Sequence, residues 1–229
     1  MLKPKKKISK REIKEDKLVT TYFEAQSWFE LNKKRISTVA TILAVVVAAI
    51  WIYYNNRATG DLNATTDLGK VMRYYDQGQY QIAINGAPQE NIRGLEQIVS
   101  DYGSTPTGQI ARLYLANCYF SLSQYDKALE LYRDTDVSDK SLMASVYAGI
   151  AACEVEKGNI AEGARMFEKA AGTDSGEMNT AEYLYRAAGS YVQAGEKEKA
   201  SELLERLKKD FPQSTYAREA DRLVAQVRS

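Results

Sequence analysis

Protein chemistry needs nucleophiles, general acids and bases, or metal ligands at fixed spacing, and this chain is short of them. It has no histidine and only two cysteines, Cys118 and Cys153. Without histidine there is no Ser-His-Asp or Cys-His catalysis, no His-ligated zinc and no HExxH metalloprotease. No GxxxxGK[ST] phosphate loop and no GxGxxG turn occurs either. Two cysteines are too few for a disulfide scaffold. The expectation is a protein that is not an enzyme, holds no cofactor or metal, and takes neither nucleic acid nor a small-molecule substrate. Asn63-Ala64-Thr65 matches a glycosylation sequon, a pattern one expects by chance in 229 residues.

What the sequence offers instead is one apolar segment. The 19 residues 36–54 carry no charge, and Lys33, Lys34 and Arg35 stand immediately before them. As a helix this stretch is about 28 Å long, close to the hydrocarbon thickness of a bilayer. It predicts a single transmembrane helix. Residues 1–35 hold 11 Lys/Arg against 5 Asp/Glu, starting with Lys3, Lys5, Lys6 and Lys7, whereas the chain beyond Tyr54 holds 20 against 25. Basic flanks stay cytoplasmic, so Lys33, Lys34 and Arg35 predict a cytoplasmic N-terminus and an extracytoplasmic C-terminal domain. Trp51, Tyr53 and Tyr54 at the far end suit the headgroup level. A cleaved signal peptide would have a shorter apolar core after a short basic segment, and no cysteine stands directly after the span to carry a lipid anchor.

The expected layout is a basic tail at 1–35, the span at 36–54, a linker at 55–63 and a domain at 64–229. In the tail, Leu18, Tyr22, Ala25 and Phe29 recur at helical spacing, with Val19 and Phe23 beside them. This amphipathic face suits either membrane lipid or a protein partner.

The domain repeats itself. The stretches beginning at Ala111, Ser145 and Glu182 each read as a helix with a small residue mid-face, a turn, and a second helix. The small positions are Ala116, Ala151 and Ala188 in the first helices and Ala128, Gly163 and Ala200 in the second; large residues follow at Tyr132, Phe167 and Leu204. Helices approach closely only where the crossing lacks bulk. Gly158 and Gly195 occupy turns, and Ser123 stands in the first of them. A fourth, degenerate repeat around Leu68 to Tyr75 has its second helix interrupted after Asn85, and Thr215 to Val227 supplies a capping helix.

These spacings resemble the tetratricopeptide repeat (TPR). The fold class implied is all-α: one N-terminal transmembrane helix, then a TPR-like α-solenoid of about four repeats with a capping helix. By that resemblance the first-helix surface would form a peptide or partner groove lined by Leu68, Met72, Tyr75, Leu113, Asn117, Phe120, Val155, Tyr185 and Val192. Its apolar character points to an extended chain, an unfolded polypeptide or a helix as ligand. Basic tail, span and TPR domain, with Trp28-Phe29-Glu30-Leu31-Asn32-Lys33-Lys34 before the span, resemble the ancillary subunit of the bacterial Sec translocon that carries a TPR-like domain. That resemblance implies an adaptor whose partners are translocon subunits, emerging chains or periplasmic chaperones. The alternative is a TPR scaffold in outer-membrane insertion, secretion or division machinery.

Overall fold

A computed structural model of the chain describes residues 10–174 and 176–228; the side chains of 10–16, 18 and 225–228 lie outside that description. Lys3, Lys5, Lys6 and Lys7, and the side chain of Leu18, therefore fall outside it. Helix α1 spans Lys10–Asp76 without a break. Residues 55–63, expected as a linker, are helical, because they contain one glycine and no proline to stop the ladder. The chain forms two compact units that part between Asn56 and Arg57.

In the first unit, α1 is long and apolar enough to cross a membrane by length and composition. Apart from half-buried Asn32 and Ile36, every described side chain from Lys17 to Asn56 is exposed.

In the second unit, the end of α1 turns at Gly78 into α2 (Tyr80–Asn85). The strands β1 (Gly86–Ala87) and β2 (Ile92–Arg93) then pair antiparallel, Gly86 with Arg93 and Ala87 with Ile92, around a 3₁₀ turn at Pro88–Glu90. Helix α3 (Leu95–Tyr102) resumes the interrupted second helix. Then come α4 (Pro106–Ser121) with α5 (Tyr125–Arg133), α6 (Lys140–Glu156) with α7 (Ile160–Thr173), and α8 (Glu177–Ala194) with α9 (Lys197–Asp210). Helix α10 (Thr215–Arg228) packs on both α8 and α9. Each second helix also touches the first helix of the next hairpin, as α5 does α6 and α7 does α8.

The crossings are built from the small residues. Ala116, Ala128, Ala151, Ala188 and Ala200 are fully buried, and Tyr132, Phe167 and Leu204 pack beside them in the core. The turns share one geometry. Gly78, Ser123, Gly158 and Gly195 all have left-handed backbone, with φ between 60 and 86°. After each, an amide reaches back to the carbonyl of Tyr74, Tyr119, Glu154 or Tyr191, at 2.8 to 2.9 Å. That bond satisfies a carbonyl the helix end would leave free.

Candidate partner surface

The first-helix surface is a patchwork of half-buried side chains. Leu68 and Leu113, expected to line a groove, are buried in the hydrophobic core instead, because the neighbouring helices close over them. Met72, Tyr75, Asn117, Phe120, Val155, Tyr185 and Val192 are half-buried.

The chain itself supplies much of their cover. Tyr75 packs edge-on against Tyr80 and Tyr114, with ring centroids 5.9 and 4.9 Å away. The amide of Asn117 donates to the Tyr75 hydroxyl at 3.2 Å, and its carbonyl accepts from the Tyr132 hydroxyl at 2.6 Å. Asn117 thus joins α1, α4 and α5, with both ends of its amide engaged within the domain. Burial pushes the phenols of Tyr75 and Tyr132 above their usual range, so both remain neutral.

Phe120 lies between the two halves of the core and leans on Tyr125, 5.5 Å between centroids. Val155 turns toward α7, where a methyl group on Gly163 would come within 2.5 Å of its Cγ2. Tyr185 pairs with Tyr216 of α10 at 5.6 Å, so the capping helix covers that end of the surface. Tyr80, Tyr114 and Tyr216 are the members that the sequence reading missed. The spacing of Tyr114 from Tyr75 offered no signal, since the two meet only through the hairpin stacking.

The two thiols sit behind this surface. Cys118 and Cys153 are free and fully buried, and burial raises each pKa to about 12. A thiol held that high is not a nucleophile near neutral pH. Among the described residues, no group of three His, Cys, Asp or Glu side chains is placed to hold a metal ion.

A tetratricopeptide repeat family model matches residues 111–135, which hold the end of α4 with α5, and residues 182–214, which hold α8 with α9. The two matched hairpins, α4 with α5 and α8 with α9, are thus similar to tetratricopeptide repeats. Two solved structures share the TPR-like solenoid, both of TPR-like repeats from a Podosopora anserina protein assigned as a kinesin light chain. One, a point variant of those repeats, superposes with a TM-score of 0.55 at 18% identity, over 73% of this chain and 94% of the other. A second structure of those repeats gives 0.54 at 19% identity over the same shares. At such identity the likeness concerns the fold alone. No curated protein matches the chain. Stacked hairpins of this kind build extended surfaces that repeat proteins use to bind other proteins.

Proposed function

We propose that this chain is a membrane-anchored TPR adaptor without enzymatic activity. One span, residues 36–54, holds the TPR domain at the outer face of a bacterial plasma membrane, with the basic tail in the cytoplasm. The observation that carries this reading is a charge-free apolar stretch, exposed from Ser37 to Tyr54 in α1, on the same chain as the repeats. Exposed apolar area on that scale needs an apolar environment to cover it. The half-buried residues Met72, Tyr75, Phe120, Val155, Tyr185 and Val192 form the partner-facing surface in this proposal. Its partners are subunits of the Sec translocon and the chains or chaperones that meet there, a reading supported by the layout of tail, span and repeats.

Photo-crosslinking from Met72 and Phe120 in intact cells, followed by purification in mild detergent and mass spectrometry, tests the partner. Translocon subunits are expected. Outer-membrane insertion or division components in their place would move the protein to an envelope-assembly scaffold. Orientation has its own test. A reporter active only outside the cytoplasm should work when fused after Ser229 and be silent when fused at Met1. Replacing Lys33, Lys34 and Arg35 by Glu should weaken that preference.

A further inference from the structure

On the reading that residues 36–54 span a bilayer, we infer that the preceding part of α1 is a lipid-binding amphipathic helix that rests on the cytoplasmic surface of the same membrane. Val19, Tyr22, Phe23 and Phe29 lie on or beside one face of α1 and expose 52, 66, 59 and 48% of their surface. The Tyr22 and Phe23 rings pack edge-on at 5.8 Å, forming one apolar block. No described side chain of the protein covers them.

Three features choose an anionic bilayer as the occupant. The first is charge: residues 1–35 carry 11 Lys/Arg against 5 Asp/Glu, and phospholipid headgroups of the cytoplasmic leaflet are negative. The second is tethering. Phe29 precedes Ile36 by seven residues, about 10 Å of helix, so the face is held within reach of the headgroups without any search. The third is side-chain type, since Tyr, Phe and Trp concentrate at the membrane–water boundary.

Helix α1 runs unbroken through the junction, so resting on the surface requires it to bend there. Asn32 donates its amide to the Trp28 carbonyl at 2.8 Å, and Thr38 its hydroxyl to the Lys34 carbonyl at 2.9 Å. Side chains that bond back to the preceding turn loosen the helical ladder and favour a bend. Thr21, Thr41, Thr65 and Thr66 make the same bond elsewhere in α1, so these bonds permit a turn at Lys33 to Arg35 without singling it out.

The only tryptophans, Trp28 and Trp51, make the test direct. The full chain is reconstituted in vesicles of phosphatidylcholine, with and without phosphatidylglycerol. One variant, Trp28→Phe, leaves Trp51 as the reporter of the span. A second, Trp28→Phe with Trp51→Phe and Phe29→Trp, places the only indole on the face. The position-29 indole should shift its emission to the blue, be quenched by lipids brominated high on the acyl chain, and lose access to acrylamide. Phosphatidylglycerol should deepen these changes and salt should reduce them. Adding Tyr22→Glu should restore acrylamide access while the melting of the TPR domain stays unchanged.

If Trp51 is quenched by brominated lipid while the position-29 indole stays open to acrylamide in both vesicles, the inference falls and the span reading stands. If Trp51 itself escapes lipid quenching, the span reading fails and takes the inference with it. Shielding at position 29 in native membranes but not in vesicles would assign the face to a protein and overturn the inference.

Discussion

Arg133 donates to the buried carboxylate of Glu154 at 2.8 Å, linking α5 to α6 across the join between two repeats. The same place in the neighbouring joins is filled by a different pair. Tyr119 donates its hydroxyl to Glu96 of α3, and Tyr191 donates to Glu168 of α7 at 2.8 Å. Each bond joins the end of a first helix to the second helix of the hairpin before it. In the middle join the polarity is reversed: the first helix supplies the acceptor and the second helix the donor. The first repeat has no hairpin before it, and there the insertion serves. Tyr74 donates to Glu90 of the 3₁₀ turn at 2.8 Å, and Arg73 bonds the same carboxylate. The insertion therefore gives the exposed end of the stack the carboxylate that a preceding repeat would have given.

Reversing one partner at the middle join should destabilise, and reversing both should recover much of the loss. Arg133→Glu would set two carboxylates against each other, with Glu154 only 4% exposed. Arg133→Ala should cost about 1 kcal/mol, since Asn159 still donates to Glu154 and the arginine itself is largely in solvent. Arg133→Glu should cost more. Arg133→Glu with Glu154→Tyr recreates the Tyr–Glu arrangement of the flanking joins and should melt above Arg133→Glu alone. Urea unfolding of the parent, Arg133→Glu alone, Glu154→Tyr alone and the double variant forms the double-mutant cycle. Additive effects would show that the pair is incidental to the join.

The repeats were legible because crossing points demand small residues at fixed intervals, and Ala116, Ala151 and Ala188 meet that demand in the structure with no exposure at all. The break at Asn85 was legible for a similar reason, since Gly86 weakens a helix interior and Pro88 breaks one. The joins were not legible. A position that reads Tyr, Glu, Tyr along the repeats has no common hydropathy, and its partners change from Glu to Arg and back. The surface was only half legible. Register placed Leu68 and Leu113 on the correct helices, but whether a helix face stays open depends on the neighbour that packs on it. The unbroken helix through 55–63 went unread because the polar composition looked like a linker, while nothing in it stops a helix.

Ser123 should give way to glycine with profit. It holds φ at 60°, the left-handed region where Gly78, Gly158 and Gly195 stand in the other turns. A side chain there meets the following carbonyl at a cost of roughly 1–2 kcal/mol, offset in part by the extra freedom glycine has when unfolded. Ser123→Gly should therefore stabilise the domain by about 0.5–1 kcal/mol. A lower melting temperature would mean that the serine makes a compensating bond in solution.

Alkaline pH should unfold the domain cooperatively. Burial raises Cys118 and Cys153 to about 12, and burial with the Glu96 bond raises Tyr119 to about 12. The folded state holds these protons more tightly than the unfolded chain, whose thiols ionise near pH 9 and phenols near 10. Stability is thus complete below about pH 8.5 and falls as pH rises toward 12. Both thiols should resist alkylating reagents in the native protein at pH 8 and react fully in guanidinium. Fast native labelling of either one would contradict the burial.

Two glycines should respond to alanine with opposite sign. Gly149 lies mid-helix in α6 and faces the Tyr132 ring so closely that a Cβ would stand 2.4 Å from Cε1 and from Cζ. Tyr132 is itself only 3% exposed and bonded to Asn117, so the ring has nowhere to retreat. Overpacking of this kind costs about 1–3 kcal/mol, more than the gain of up to about 1 kcal/mol that alanine brings to a helix interior. Gly149→Ala should lower the melting temperature. Gly69 lies inside α1 with nothing within 4 Å of a Cβ, so Gly69→Ala keeps the propensity gain without the clash. It should stabilise by about 0.5–1 kcal/mol. Calorimetry on the pair separates close packing from helix propensity. If Gly149→Ala were as stabilising as Gly69→Ala, the Tyr132 ring would have to swing clear, and the Asn117 bond that joins α4 to α5 would be lost with it.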